Sequence, residues 1–197
     1  MYQTDARHGL TTLTDQDEIA ACLPDVTQLY LDASADLTAF AGLLPPSAFF
    51  DLYRGDLRSP GARLVKAERG GHVVGFGFGT LLPADTTWWR SLVSSAMPDS
   101  FTHEDGRRTF VIRAVVVRPA CQGLGYGTAL HDALLRGTGT ERSTLMVSPR
   151  IRPALALCEA LGYLFVGAAR PEGTDATYLS MVRSEGSTAF HRRPRRR

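Results

Sequence analysis

The chain is poor in cysteine, nearly without lysine and free of long apolar runs, and each shortage excludes something. Cys22, Cys121 and Cys158 are odd in number and widely spaced, so they offer neither metal-ligand spacing nor a disulfide framework. No run approaches 18 apolar residues, and Met1 to Ala20 holds no apolar segment of the kind a secretory signal needs. The expectation is a soluble, cytoplasmic protein with no membrane partner and no metal. Lys66 is the only lysine among 22 basic residues, a skew that fits GC-rich coding better than a binding surface. Excess charge of one sign is missing too: the net charge is +2, and His191 to Arg197 carries five arginines of that total. Without them the balance is 17 basic against 20 acidic residues, so the body is mildly acidic and a nucleic-acid partner is not expected.

What is present is enough for one core. With 197 residues, 44% of them hydrophobic, the chain reads as a single domain over 1–183, followed by a basic, solvated tail over 184–197. Gly9 to Leu13 reads as a short strand. Thr14 to Glu18 supplies an N-cap and an acidic first turn for a helix whose apolar residues run from Ile19 to Ala33. Pro24 must kink that helix or start a second one. Ala35–Leu44 and Ser47–Arg54 read as further short helices. Ala62–Glu68 and His72–Gly79 alternate as the strands of a hairpin turned at Arg69-Gly70-Gly71. The second strand carries Gly75, Gly77 and Gly79, which weaken it unless something packs closely there.

Leu82 to Arg108 is the loosest stretch, a long insertion of the kind that often serves function. A helix is expected over Trp88–Met97. Adjacent tryptophans point to different helix faces, so Trp88 and Trp89 cannot both sit squarely in a core. One of them is a candidate for lining an acceptor pocket.

The centre of the sequence is Phe110–Leu135. Its β-branched run through Val117 reads as a strand buried on both faces. Gln122-Gly123-Leu124-Gly125-Tyr126-Gly127 follows, then an amphipathic helix with Leu130, Ala133 and Leu134 on one side. Strand, glycine turn and helix together favour an anion at the helix N-terminus, where unpaired N–H groups and the helix dipole meet it. The spacing G-x-G-x-G is not the G-x-G-x-x-G of a dinucleotide fold, and a P-loop would need a Gly-Lys pair that is absent. Beyond the turn lie a strand at Ser143–Val147, a helix at Ala154–Leu161, and a hairpin of Tyr163–Ala169 with Thr177–Val182.

On the pattern Gln122-x-x-Gly125-x-Gly127, preceded by Val117-Arg118-Pro119, the sequence resembles the GNAT acetyltransferase superfamily, in an actinobacterial, small-molecule-modifying form. The resemblance covers about Leu10 to Arg183 and implies an α/β fold (an α+β mixed sheet): a central mixed β-sheet flanked by helices. It implies acetyl-CoA, or another acyl-CoA, as co-substrate, with its pyrophosphate on Gln122, Gly123, Leu124, Gly125, Tyr126, Gly127 and Thr128. The backbone of Val115, Val116 and Val117 would hold the pantetheine and the thioester. The acceptor would be a primary amine of a small molecule, attacking directly in a ternary complex, and the protein a monomer or homodimer.

The resemblance is incomplete at the catalytic positions. Where the family commonly has Asn and, seven residues on, a Tyr that protonates the leaving thiolate, this chain has Ile151 and Cys158. A thiol of pKa about 8.5 can in principle donate to a thiolate of similar basicity. Packing is the simpler role for a small apolar residue. Many members carry a glutamate on the central strand, and Phe110–Val117 has no carboxylate. Neutralising an alkylamine costs about 4 kcal/mol, and the candidate bases are Glu104, His103, Asp105 and Glu68. Tyr163 matches a frequent aromatic position. A domain that binds coenzyme A without transferring is the alternative these departures keep open.

Overall fold

The computed structural model describes residues 8–34, 46–93, 97–171 and 176–185. The helix expected over Ala35–Leu44 and most of the basic tail lie outside them. Seven strands form one sheet: β1 (Leu10–Leu13), β2 (Arg63–Arg69), β3 (His72–Leu81), β4 (Thr109–Val117), β5 (Arg142–Val147), β6 (Leu164–Ala169) and β7 (Tyr178–Ser184). Their order is β1-β2-β3-β4-β5-β7-β6. Every neighbouring pair is antiparallel except β4 with β5, so the sheet is mixed and its one parallel junction lies at the centre.

Helices α1 (Gln16–Ala21), α2 (Leu23–Ser34) and α3 (Pro46–Asp56) cover one face. The α1 start is held by Asp15, whose carboxylate accepts from the N–H groups of Asp17 and Glu18 at 3.0 Å each. Pro24 falls in the first turn of α2, where a missing N–H costs nothing, so it begins a helix rather than bending one. Ile19, Val26, Leu29, Tyr30, Phe49 and Tyr53 bury against Leu64, Phe76, Phe78 and Val116 of the sheet. On the other face lie α5 (Tyr126–Leu135) and α6 (Arg152–Ala160), with Leu130 and Leu134 packed among Val65, Phe110, Ile112 and Leu145.

The glycines of β3 are explained by α5. A Cβ on Gly77 would stand 2.7 Å from the Leu134 Cδ1, and one on Gly75 would stand 3.0 Å from the Leu130 Cδ1. The helix rests on a track without side chains, close enough to the sheet for its N-terminus to meet the end of β4.

The expected helix over Trp88–Met97 does not form across its described part, Trp88–Val93. Trp88–Ser91 make a single 3-10 turn, and the chain then extends so that Leu92 bridges Ala169 and the Val93 N–H donates to the Ala168 carbonyl at 2.9 Å. The outer side of β6, the last strand of the sheet, offers the backbone partners a short helix would have had to supply itself. After α4 (Asp99–Thr102), the insertion closes a third apolar cluster in which Leu82 and Trp89 bury Val111 and Val182 on the α1–α3 face of the sheet. No helix among the described residues is long and apolar enough to cross a membrane.

Candidate functional site

At the central junction the sheet opens. β4 and β5 pair only at Thr109 with Arg142, Phe110 with Ser143 and Val111 with Thr144. β4 runs on to Val117 and β5 to Val147, where β5 stays paired with β7. Ile112–Val117 therefore face β5 across a wedge with no strand ladder, leaving main-chain groups free for a guest. The opening coincides with a bulge. Against β3, Ala114 pairs with Phe78 and Ile112 with Gly79, so Arg113 has no partner and β4 bends there. This places Val115, Val116 and Val117 along one wall of the wedge.

The wall ends at the glycine turn. Gly123 and Gly125 take φ of 75° and 87°, the left-handed region that a residue with a Cβ rarely enters. Gly125 is the N-cap of α5 and offers no side chain, so the first N–H groups of the helix remain for an outside acceptor. Nothing lies within 4 Å of a Cβ built on Gly123, and Gln122, Leu124 and Thr128 are exposed. The Gln122 amide donates to the Val117 carbonyl at 3.2 Å, tying the turn to the end of β4. Gly127 faces inward, where a Cβ would sit 3.1 Å from the Leu157 side chain of α6. Tyr126 is buried beneath the turn.

Two contacts that the sequence did not signal lie at this end. The ring of His8 meets Tyr126 edge-on with centroids 5.1 Å apart, and its Nε2 would be 3.5 Å from a Cβ on Gly125. Arg118 donates to the Asp32 carboxylate of α2 at 2.6 Å. No motif signals either contact, because both partners come from distant parts of the chain.

The expected catalytic side chains are placed differently from the expectation. Glu104 is 2% exposed and lies at the Thr109 end of β4, away from the glycine turn. Its Oε1 accepts from the Trp89 indole at 2.9 Å, the Thr109 hydroxyl at 2.8 Å and the Arg142 guanidinium at 2.7 Å. All three donors meet Oε1, and Oε2 is buried with no hydrogen-bond partner among the described residues; a carboxylate so shut from solvent has no open route to an amine, and its contacts are those of a structural group. Asp105 accepts from the N–H groups of Arg107 and Arg108, and that backbone contact holds its carboxyl below the usual range. Glu68 pairs with Lys66 on β2. Cys158 is 6% exposed on the inward side of α6, and burial pushes its thiol up to about 11. Ile151 is the N-cap of α6 and supplies no side-chain bond.

Trp89 is the tryptophan in the core, and Trp88 is half-buried beside the wedge. The Arg113 guanidinium stands 5.3 Å from the Trp88 ring centre and binds Asp56 at the end of α3. Tyr163 does more than pack: its hydroxyl meets His131 Nε2 at 3.0 Å and the Ser143 hydroxyl at 2.6 Å. That network continues to Glu185 and Arg183 at the end of β7, clear of the wedge. Among the described residues, no three His, Cys, Asp or Glu side chains converge to hold a metal ion.

A glycine turn open at a helix start, beside a central strand with free main chain at Val115–Val117, is the arrangement the family resemblance implies. The acetyltransferase (GNAT) family model matches residues 27–163, well over half of the chain. The protein belongs to the GNAT acetyltransferase family. Solved structures share the fold. YncA from Salmonella typhimurium, solved with its cofactor acetyl-CoA, is 18% identical with a TM-score of 0.53, over 91% of this chain and 96% of that one. A GNAT phosphinothricin acetyltransferase from Sinorhizobium meliloti, in complex with acetyl-CoA, is 17% identical with a TM-score of 0.55, over 89% and 88%. A ribosomal-protein-alanine N-acetyltransferase from Brucella melitensis is 18% identical with a TM-score of 0.55, over 89% and 98%. No curated protein matches the sequence. Membership makes the chain an N-acetyltransferase; at these identities the neighbours speak to the fold alone.

Proposed function

We propose that the protein moves an acetyl group from acetyl-CoA to the primary amine of a small molecule, by direct attack in a ternary complex. The observation that carries this is the wedge itself, which opens where β4 runs into the uncapped turn at Gly125. The turn fits a pyrophosphate: Gly123 leaves open space, and the helix N-terminus supplies N–H donors and partial positive charge. Gln122 to Thr128 would hold that group, and the main chain of Val115, Val116 and Val117 would hold the pantetheine arm and the thioester carbonyl.

In the reaction the neutral amine nitrogen bonds to the thioester carbon and gives up a proton to solvent, the carbon–sulfur bond breaks, and the thiolate leaves with its electron pair. Holding the two reactants at attack distance can supply several kcal/mol of the barrier. Backbone N–H groups along β4 would stabilise the oxyanion. Cys158 is a poor source of the proton for the thiolate, because its own proton is held too tightly and the side chain is enclosed. Solvent entering the wedge supplies it instead.

The same burial of Cys158, with Ile151 in place of an amide side chain, favours one second reading: a domain that binds coenzyme A without transferring. Calorimetry with coenzyme A, followed by thiol release from acetyl-CoA across an amine panel, tests both. Binding with release supports transfer, and binding without release supports the second reading. Absence of binding removes both.

A further inference from the structure

This inference rests on the transferase reading and asks which amine the protein takes. A donor seated on the turn enters the wedge from the α5 side, so the attacking amine must arrive from the face that carries α1–α3. Arg113 stands at that entrance. As the bulged residue of β4 it shares a face with Ala114, whose neighbours are those of α2 and α3, while Ile112 before it packs on the α5 side. A cation at the mouth of an amine site is unexpected, because protonated amines are repelled by it.

The donors around Arg113 are incompletely used. Asp56 takes its Nε and Nη2, which leaves Nη1 without a hydrogen-bond partner among the described residues, on a side chain 19% exposed. Trp88, beneath the guanidinium, has a buried indole N–H with no acceptor among the described residues. On β7 the Ser180 hydroxyl is likewise buried and unpartnered, and strand alternation puts it on the face of Val182, in the cluster against which Trp88 packs. A buried donor left unpaired is costly, and such groups are ordinarily satisfied by something. An indole N–H and a guanidinium edge can only donate, so what they lack is an acceptor group.

We infer that the acceptor amine carries a carboxylate, which takes the free edge of Arg113 and the Trp88 N–H. The substrate class is thus amino acids, and polyamines are disfavoured. Asp56 fixes the guanidinium plane without using its whole fork, so orientation is set before the substrate arrives.

The test compares α-amino acids, β-alanine and 4-aminobutyrate, each paired with the amine left when its carboxylate is removed, and adds spermidine. Coenzyme A binding is measured on every protein by calorimetry. The best amino acid should exceed its paired amine at least tenfold in kcat/KM, with spermidine poorest. In the Arg113→Gln/Asp56→Asn variant, which leaves no unpaired charge, that ratio should fall to within about threefold of unity while coenzyme A affinity holds. Trp88→Phe keeps the ring and removes the N–H; KM for the amino acid should rise severalfold and that for its paired amine should not. Paired amines or spermidine matching the amino acids overturns the inference. So does a preference that survives both variants, or wild-type protein that binds coenzyme A and acetylates no member of the panel. Should the double variant fail to fold, Trp88→Phe and the wild-type comparison decide. Wild-type protein that does not bind coenzyme A overturns the transferase reading as well.

Discussion

Glu104→Gln separates a structural carboxylate from a catalytic one. Glutamine keeps an oxygen for the Trp89 indole and the Thr109 hydroxyl, so those two bonds survive in weaker form. What disappears is the charge facing Arg142, whose side chain is 7% exposed and whose Nη2 lies 2.7 Å from Glu104 Oε1. Breaking a buried pair from one side typically costs about 3–5 kcal/mol, because the remaining charge is left desolvated. Arg142 also donates to the Phe101 carbonyl at 2.7 Å and the Thr109 hydroxyl at 2.8 Å, so the lower end, about 3 kcal/mol, is expected. For a domain of this size that lowers the melting temperature by about 6–12 °C. Thermal melts measure the loss, and thiol release at a temperature where the variant is folded measures the chemistry. The expected outcome is a clear fall in stability with turnover within a few-fold of the parent. A hundredfold fall in kcat at unchanged melting temperature would refute the reasoning and return Glu104 to the mechanism. Glu104→Gln/Arg142→Leu should recover part of the stability, since no charge is then left buried.

Gly125→Glu adds a side chain at a left-handed position and a negative charge where the pyrophosphate is proposed to lie, so coenzyme A affinity should fall at least tenfold; unchanged calorimetry in a folded variant would remove that assignment. Tyr163→Phe removes a hydroxyl bonded to His131 and Ser143 and should cost about 1–3 kcal/mol in a urea titration, with coenzyme A affinity unmoved. Stability should also fall at alkaline pH. Burial pushes the Cys158 thiol up to about 11 in the folded chain, well above its ordinary value in the unfolded one, and shifts Tyr30 and Tyr53 upward too. The unfolded state therefore sheds protons first: stability is level below about pH 9 and declines as pH rises from there toward 11. Urea midpoints that stay flat from pH 8 to 10.5 would contradict the enclosure of these groups.

Local pattern was enough for most of the sheet. Alternation marks β2 and β3, and the glycines of β3 announce a close neighbour before its identity is known. Where reading failed, the deciding partner was remote. Trp88–Met97 has apolar spacing compatible with a helix, and Leu92 and Val93 instead extend along β6, where they meet Ala169 and the Ala168 carbonyl. Glu104 sits in a polar run that looks solvent-facing, yet its partners Trp89 and Arg142 lie 15 and 38 positions away. No periodicity encodes such a meeting, because hydrogen bonds between side chains depend on how elements pack.

The wedge shows the same division within a single strand. Val111, Ile112, Val115, Val116 and Val117 are alike in propensity, and nothing in their order says that pairing with β5 stops after Val111. The stop follows from one extra residue. Arg113, unpaired against β3, turns β4 away just where β5 continues beside β7. A polar, charged residue inside an apolar run is the trace this leaves in the sequence. Such a residue must reach solvent or a partner, and a regular strand buried on both faces offers neither, so the bulge is where it becomes tolerable. Asp56 and Trp88 then hold it, and the residue that opens the cleft also sets the charge at its mouth. A side chain that resembled an interruption of the strand is thereby the one that marks where the opening lies.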